Sequence, residues 1–411
     1  MMWSRTALWL AIMRMVLSNP VNDLKKCNFS YDNSSNPPFL VDTKRKELIY
    51  PDIVHGKQQS VTLNNGTTVL ASCPGTDNQL VNYSKSSMEI TCRDSKLFND
   101  SDPVSWEDLG CSSKVKPTLK SGRSCGKDSR MYYIRWDIRR NLYLCQISVC
   151  FNTKLKTTVF VSHTIHGRFI GAKTKFKNNT RFFSKNLIYY YNQEKQKKIL
   201  NSSNEVFGYF LSKGHLAPVA DFVLEAEKRA TYHYINIVPQ WKTINNGNWE
   251  KLESAVRKLA KDGAATLDVY TGTHGILELL NMSNCSIKIF LNNKNLPVPA
   301  LMWKVIHNPA NQTAVAIVMV NDVTNSSDFW SARYSTHSEN CSKLGWVNWQ
   351  VNNVIAGKTF CFTVQDFRSI IHELPSLDWM DSVELLAKGK KNCDLNKNKK
   401  PTKVAVPKQA K

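Results

Sequence analysis

The pattern of hydrophobic and polar positions changes at about residue 130. Between residues 19 and 130 the apolar residues occur in short alternating runs, such as 60–63 and Thr68–Ser72. Turn dipeptides, of which Asn65-Gly66 is the clearest, separate these runs. This pattern predicts a small β-rich N-terminal domain over residues 19–130.

Longer runs of aromatic and β-branched residues replace the short ones between residues 131 and 385. They predict buried strands at 157–162, 232–238, 267–271 and 314–320. Apolar residues at helical spacing predict helices at 217–232 and 249–261, the second of which should end at Gly263 as its cap. Strands and helices that mix without strict alternation predict an α+β fold.

The chain contains eleven cysteines, none in a C-x-x-C pair and none with a histidine at zinc-finger spacing. They are Cys27, Cys73, Cys92, Cys111, Cys125, Cys145, Cys150, Cys285, Cys341, Cys361 and Cys393. Disulfide bonds in an oxidising compartment are the expected use, with a zinc site at Cys145 and Cys150 as the alternative. An odd number leaves one thiol over, or one intermolecular bond. The first five lie before residue 131, so the N-terminal domain is predicted to be disulfide-rich.

Two further features predict a secreted, extracellular glycoprotein. Residues 1–18 resemble a signal peptide with an apolar run at 7–13, although Arg14 interrupts the apolar stretch. Twelve N-x-S/T acceptor patterns occur. They lie at Asn28, Asn33, Asn65, Asn82, Asn99, Asn178, Asn201, Asn281, Asn284, Asn311, Asn325 and Asn340. No other segment is long and apolar enough to span a bilayer, so no membrane partner is expected.

The charge balance indicates a polyanionic partner. Lys and Arg number 55 against 33 Asp and Glu, a net charge of +22. A field of this sign attracts phosphate backbones, and acidic glycans equally. Residues 386–411, rich in lysine and poor in apolar residues, predict a disordered basic tail that could serve as an arm for phosphates.

Candidate chemistry is concentrated in two neighbouring segments, 209–221 and 234–253. His215 follows Gly214 at the end of an apolar run, and Asn236, Asn245 and Glu253 follow in the second segment. Phosphodiester cleavage needs a base for water, for which histidine is suited, and a divalent cation, for which amide and carboxylate oxygens are suited. The structural alternatives are a packed His215, an Asn245 that caps a helix and a solvated Glu253.

The two segments resemble the signature of the DNA/RNA non-specific endonucleases, a family of ββα-metal nucleases. That signature reads D-R-G-H, then N-x-x-P-Q, then N-x-G-x-W-x-x-L-E, and this chain matches it at 214–215, 236–240 and 245–253. The resemblance covers roughly residues 131–385 and is strongest toward secreted arthropod salivary members. It implies a nuclease domain with a central antiparallel sheet flanked by helices.

The resemblance also implies roles for individual residues. His215 would be the general base, Asn245 the direct metal ligand, and Glu253 would hold a metal-bound water. Asn236 would position His215 or the phosphate. Arg181 would stabilise the transition state, with Arg168 as its rival. Mg²⁺ is the implied cofactor, with Mn²⁺ as an alternative, and double- and single-stranded DNA and RNA are the implied partners.

One departure separates this chain from the family signature. Ser212-Lys213 stands where the family has D-R, so a carboxylate is lost and Lys213 lacks the planar fork with which arginine grips phosphate. We therefore expect sequence-independent nucleic-acid binding with weak or residual Mg²⁺-dependent cleavage. A fully active non-specific endonuclease is one alternative, and a non-enzymatic polyanion binder is the other.

Overall fold

The computed structural model describes residues 25–54, 58–176, 182, 191–200, 209–292, 294–324, 327–335, 338–381 and 383–387. The predicted signal peptide and almost all of the predicted basic tail lie outside these ranges. Within the described ranges, no helix is long and apolar enough to cross a membrane.

The N-terminal region forms two small antiparallel sheets. One has the strand order β1-β5-β4 and the other β3-β2-β6-β7-β8-β9. The strands are β1 (Cys27–Phe29), β2 (Phe39–Asp42), β3 (Glu47–Leu48), β4 (Asp52–Val54), β5 (Gln58–Leu63), β6 (Thr68–Ser72), β7 (Ser87–Arg93), β8 (Lys96–Asn99) and β9 (Asp102–Val104). The alternating runs at 60–63 and 68–72 are confirmed as strands, and the region is rich in strands as predicted.

The rest of the chain forms a nine-stranded sheet and several shorter hairpins. The strands are β10 (Thr118–Gly126), β11 (Ser129–Arg139), β12 (Leu142–Asn152), β13 (Thr157–His166), β14 (Leu211–His215), β15 (Ile237–Trp241), β16 (Thr266–His274), β17 (Glu278–Leu280), β18 (Ser286–Lys288), β19 (Phe290–Asn292), β20 (Asn295–Pro297), β21 (Leu301–Asn308), β22 (Thr313–Val320), β23 (Thr359–Phe362) and β24 (Glu384–Leu385). The helices are α1 (Gln193–Leu200), α2 (Glu225–Ala230), α3 (Lys242–Ile244), α4 (Glu250–Asp262), α5 (Ser327–Tyr334) and α6 (Val364–Ile370).

The central sheet has the order β10-β11-β12-β13-β16-β21-β22-β23, with the short β24 added parallel to β22. All its other pairs are antiparallel. The central strands are continuous apolar runs because a hydrophobic cluster covers each face of the sheet. The cluster on one face contains Val256 of α4, and the cluster on the other face contains Phe367 of α6. The predicted α+β fold with a central antiparallel sheet flanked by helices is confirmed.

The N-terminal region packs directly on this sheet. Phe39 of β2 meets the Trp136 ring edge-on at 4.7 Å, and Ser72 Oγ donates to Ile138 O at 2.9 Å. A single apolar cluster runs through both parts of the chain. The sheet itself begins at Thr118, ahead of the boundary predicted at residue 131.

Of the ten cysteines among the described residues, eight form four disulfides, Cys27–Cys92, Cys73–Cys111, Cys125–Cys150 and Cys341–Cys361. The expected use in disulfides is therefore confirmed. The alternative of a zinc site at Cys145 and Cys150 is wrong, because the Cys150 sulfur is bonded to Cys125. Cys145 and Cys285 are exposed free thiols, and Cys393 lies outside the described residues.

Two predicted elements were wrong in detail. The helix predicted at 217–232 is a 3₁₀ turn at Val219–Asp221 and the short α2, because Phe222 and Leu224 are extended and the carbonyl of Val223 accepts from Thr174 N. The strand predicted at 232–238 begins only at Ile237, after a 3₁₀ turn. The helix at 249–261 is confirmed as α4, with Gly263 at its cap.

Candidate active site

The two candidate segments fold into a β-hairpin followed by a helix. Strands β14 and β15 pair antiparallel, with His215 opposite Ile237 and Ser212 opposite Gln240. After β15 the chain passes through α3 and a wide turn at Asn245–Trp249 into α4. Because side chains alternate along a strand, Lys213 and His215 project from one face of β14 while Ser212 and Gly214 face the other.

Gly214 is required by the close approach of Gln240. A Cβ atom at position 214 would lie 2.5 Å from Gln240 Oε1 and 2.9 Å from Gln240 Cβ. Gln240 is fully buried in the strand opposite, so it has little room to move. The glycine of the motif is therefore explained by packing behind His215.

Replacing Gly214 by alanine should destabilise the fold by about 1–3 kcal/mol, because the added methyl overpacks this buried contact. The control is Gly263→Ala, where a Cβ would meet its nearest atom at 3.5 Å and which should leave stability unchanged or slightly raised. Urea unfolding of both variants measures the difference. Equal midpoints for the two variants would contradict the packing explanation.

His215 is half-buried and lies among aromatic rings. Its ring centroid is 5.3 Å from that of Tyr232 and 5.9 Å from that of Phe182. Nε2 is buried and has no hydrogen-bond partner among the described residues. Burial, with a smaller effect from the charge of Lys213, lowers the pKa of His215 to about 4. The imidazole is therefore neutral near pH 7 and can accept a proton.

Lys213 holds its ammonium group against the same aromatic wall. Its Nζ lies 5.1 Å from the Phe182 ring centroid and 5.9 Å from that of Tyr191. Burial lowers its pKa. Ser212, on the other face, donates its hydroxyl to Gln240 O at 3.0 Å. Lys213 thus places a cation beside His215, whereas Ser212 is bonded to the backbone.

Asn236 holds together the backbone that follows His215. Its Nδ2 donates to Ala217 O and Thr231 O, both at 2.9 Å, and its Oδ1 accepts from Ala217 N at 2.9 Å. The backbone of Leu216 also donates to Asn236 O. These bonds position the chain next to His215 and engage both ends of the side-chain amide.

Asn245 and Glu253 lie on either side of a bend in the helical segment. Gly247 leaves helical geometry there, with φ −98° and ψ −122°. The Asn245 side chain is half-buried. Glu253 is only 14% exposed, and burial raises its pKa to about 7. One half-buried amide and one shielded carboxylate therefore stand at positions 245 and 253.

This donor set fits a hard divalent cation. Both donors are oxygens, which Mg²⁺ prefers. The described part of the chain contains no cluster of three or more His, Cys, Asp or Glu residues suited to a metal. An ion at Asn245 would therefore keep most of its waters, as Mg²⁺ characteristically does.

The family model of the DNA/RNA non-specific endonucleases matches residues 133–367 of this chain. The chain belongs to this family. It is similar to a salivary endonuclease of Lutzomyia longipalpis, 26% identical over 88% of this chain and 87% of the relative. It is also similar to salivary protein Tsal2A of Glossina morsitans morsitans, with 24% identity over 82% of this chain and 88% of the relative. A nuclease of Serratia marcescens is 30% identical over 34% of this chain and 51% of its own length.

The predicted resemblance to arthropod salivary members of the non-specific endonucleases is thus confirmed. Members of this family are metal-dependent nucleases. The individual site residues are not tested by these similarities, and their roles remain predictions. Arg181 lies outside the described residues. Its rival Arg168 is exposed and bonded to Asp52 of β4, through Nε at 3.2 Å and Nη2 at 3.1 Å.

Sequence reasoning missed a network of charged side chains that includes Glu253 of the candidate site. Asp221 Oδ2 lies 2.8 Å from His163 Nε2, and Asp221 Oδ1 accepts from Arg257 Nη1 at 2.9 Å. The same Arg257 nitrogen lies 4.0 Å from Glu253 Oε2. Burial alone would raise the pKa of Asp221, but the bond to His163 and the charge of Arg257 hold it below its usual value. The network thus connects strand β13 to the helix that carries Glu253.

A buried lysine from the central sheet completes the network. Lys304 of β21 is 1% exposed, donates to Thr271 Oγ1 at 2.6 Å and lies 5.0 Å from the Trp249 ring centroid. Its charge partly opposes the effect of burial on the pKa of Glu253. Two features of the sequence could have indicated this network. Glu253 and Arg257 are four residues apart on a predicted helix, and Lys304 is a single charged residue in an otherwise apolar run.

Proposed function

We propose that this protein binds DNA and RNA without sequence preference and cleaves them weakly, in a Mg²⁺-dependent reaction at His215. The observation that carries the proposal is the neutral His215 imidazole, whose buried Nε2 has no hydrogen-bond partner among the described residues, beside the ammonium group of Lys213. A base next to a cation is the pair that attack of water on a phosphodiester requires.

In this proposal each site residue has one role. His215 Nε2 takes the proton from the attacking water. Lys213 and Arg181 offset negative charge on the phosphate, and Asn236 fixes the backbone that carries His215. Asn245 and Glu253 would hold Mg²⁺, with Mn²⁺ as an alternative, and the ion would supply positive charge to the phosphate and the leaving oxygen.

Weak catalysis is expected from the two residues that precede Gly214. A lysine makes only single-point contacts to phosphate, whereas arginine makes two parallel bonds. Lys213 is also drawn toward the rings of Phe182 and Tyr191. Removing one aligned donor to a transition state typically costs a factor of about 10² to 10³ in rate.

Binding should be less affected than catalysis. The net charge of +22 is independent of the geometry at His215, and contacts to phosphates carry no sequence information. We therefore include double- and single-stranded forms of both nucleic acids among the ligands, with the tail at 386–411 as a further cationic arm.

We also propose that the protein is secreted into saliva as a glycoprotein. The four disulfides are typical of an oxidising compartment. The names of several relatives describe them as salivary. The signal peptide at 1–18 and the acceptor asparagines belong to the same proposal.

The test is to incubate the purified protein with plasmid DNA and with RNA, in Mg²⁺ or in EDTA, and to run gel shifts in parallel. We expect a strong shift under both conditions, slow cleavage in Mg²⁺ and none in EDTA. Fast cleavage in Mg²⁺ would favour the fully active endonuclease instead. Cleavage that persists in EDTA would contradict the role of the metal ion, and the absence of any shift would contradict the proposal as a whole.

A further inference from the structure

Two turns at one end of the central sheet carry a dense group of cations. The first is the turn between β10 and β11, and the second is the turn between β12 and β13. We call the cations in and beside these turns the two-turn patch. It consists of Arg123, Lys127, Arg130, Lys154, Lys156 and Lys294, all exposed. None of the six forms an ion pair with a described residue, and the only acid in either turn is Asp128.

The two turns are bonded to each other. Thr153 N and Thr153 Oγ1 donate to Asp128 O at 2.9 Å and 3.1 Å. The Cys125–Cys150 disulfide joins β10 to β12 next to this contact. Leu296 N donates to Leu155 O at 2.8 Å, which brings the segment with Lys294 against the second turn. The six cations therefore form one surface on a braced backbone.

The patch is continuous with the structure around His215. Thr158, two residues beyond Lys156, donates its hydroxyl to Ile235 O at 2.6 Å. Ile235 directly precedes Asn236, which holds the backbone after His215, and the next residue, Ile237, is paired with His215. The second turn thus lies next to the segment that pairs with His215.

We propose that the two-turn patch binds the phosphate backbone of the nucleic acid beyond the segment at His215; this inference rests on the proposed function. Several cations that have no acidic partner among the described residues, on a braced backbone, match a regularly spaced polyanion, and each phosphate neutralised adds affinity through counterion release. A long nucleic acid engages the patch and the His215 site together, whereas a short oligonucleotide in the site does not reach the patch.

The test compares two triple variants of the full-length protein in EDTA. Arg123→Gln/Lys127→Gln/Lys154→Gln neutralises the patch. The control, Lys85→Gln/Lys96→Gln/Arg140→Gln, removes the same net charge from exposed positions in the N-terminal region and at the opposite end of β11. Fluorescence anisotropy over a range of salt concentrations measures the affinity for a long duplex and for a short oligonucleotide.

We expect the patch variant to bind the long duplex about 10- to 100-fold more weakly, and its slope of log affinity against log salt to fall by about 2 to 3. The control should stay close to wild type, and the short oligonucleotide should bind all three proteins alike. Equal losses in the patch and control variants would overturn the inference while leaving the proposed function intact. Wild-type protein that binds no nucleic acid would overturn both.

Two further measurements test whether the two-turn patch contacts nucleic acid. In the wild-type protein, acetylation of Lys127, Lys154 and Lys156 should slow when the duplex is bound. Mass spectrometry measures the acetylation, and the result does not depend on whether a variant folds. Competition with heparin separates nucleic acid from an acidic glycan. A patch variant that loses heparin binding but retains duplex binding would assign the patch to glycans and overturn the inference.

Discussion

Replacing His215 by alanine should lower the rate of DNA and RNA cleavage about 10³-fold, because a positioned general base contributes about 10² to 10⁴ in rate. Binding should hardly change. With a pKa of about 4 the imidazole is neutral at pH 7, so its removal leaves the net charge as it was. Single-turnover cleavage of a labelled duplex measures the rate, and anisotropy in EDTA measures the affinity.

The control for this variant is His274→Ala. His274 is also partly buried, but it lies outside the unit of β14, β15 and α4, and its Nδ1 is 2.7 Å from Glu373 Oε1. The His274→Ala variant should therefore cleave at the wild-type rate. If His215→Ala keeps that rate too, His215 is not the base, and its burial among aromatic rings is a packing role.

The strands could be predicted where burial alone decides the structure. Residues 314–320 form an uninterrupted apolar run because both faces of β22 are covered, and no other reading suits so short a run. The apolar run at 157–162 predicted a strand for the same reason, and it forms part of β13. Helix α4 was predictable because one face of it is apolar at helical spacing, with Leu252 and Val256 buried.

The segment 217–232 could not be predicted, because distant residues decide its conformation. Asp221 is held by His163 and Arg257, and the backbone carbonyl of Val223 accepts from Thr174 N between the extended residues Phe222 and Leu224. None of these partners is near in sequence. Local helical spacing therefore suggested one helix where tertiary contacts leave only α2.

The sequence supplied the candidate site residues, which remain predictions, but it did not supply their bonding partners. The sequence placed Glu253 on a helix, as α4 confirms, but it did not predict strand β14, which carries Gly214 and His215. The motif spacing could not show that the Asn236 side-chain amide is bonded to the backbones of Ala217 and Thr231, or that the charge of Lys304 acts on Glu253. Burial and pairing of charged groups depend on the whole fold, and a single sequence carries only the charge itself.

The second large effect is expected from restoring the family residues before Gly214. The double variant Ser212→Asp/Lys213→Arg should raise the cleavage rate by about 10² to 10³, the value of one aligned transition-state donor. An arginine at 213 can stack on Phe182 as the lysine does and still present two parallel donors to a phosphate. The duplex affinity should change much less, because most of the +22 charge is retained.

In the variant, a carboxylate at position 212 would have Gln240 as its partner. Ser212 lies opposite Gln240 on the paired strand, where side chains are about 4.5–5.5 Å apart at Cβ. Both side-chain polar atoms of Gln240 are buried and unpaired among the described residues. An aspartate can accept from Gln240 Nε2, and so fix the strand that presents residue 213 and His215.

The matched control is Ser212→Asn/Lys213→Arg, which keeps the shape of aspartate without its charge. Single-turnover rates in Mg²⁺ should rank the aspartate variant above the asparagine variant, and both above wild type. Equal rates for the two would show that the arginine fork alone limits catalysis and that Gln240 needs no carboxylate. Rates no higher than wild type would show that Ser212-Lys213 is not the cause of weak cleavage, and would move the cause to the phosphate contacts assigned to Arg181.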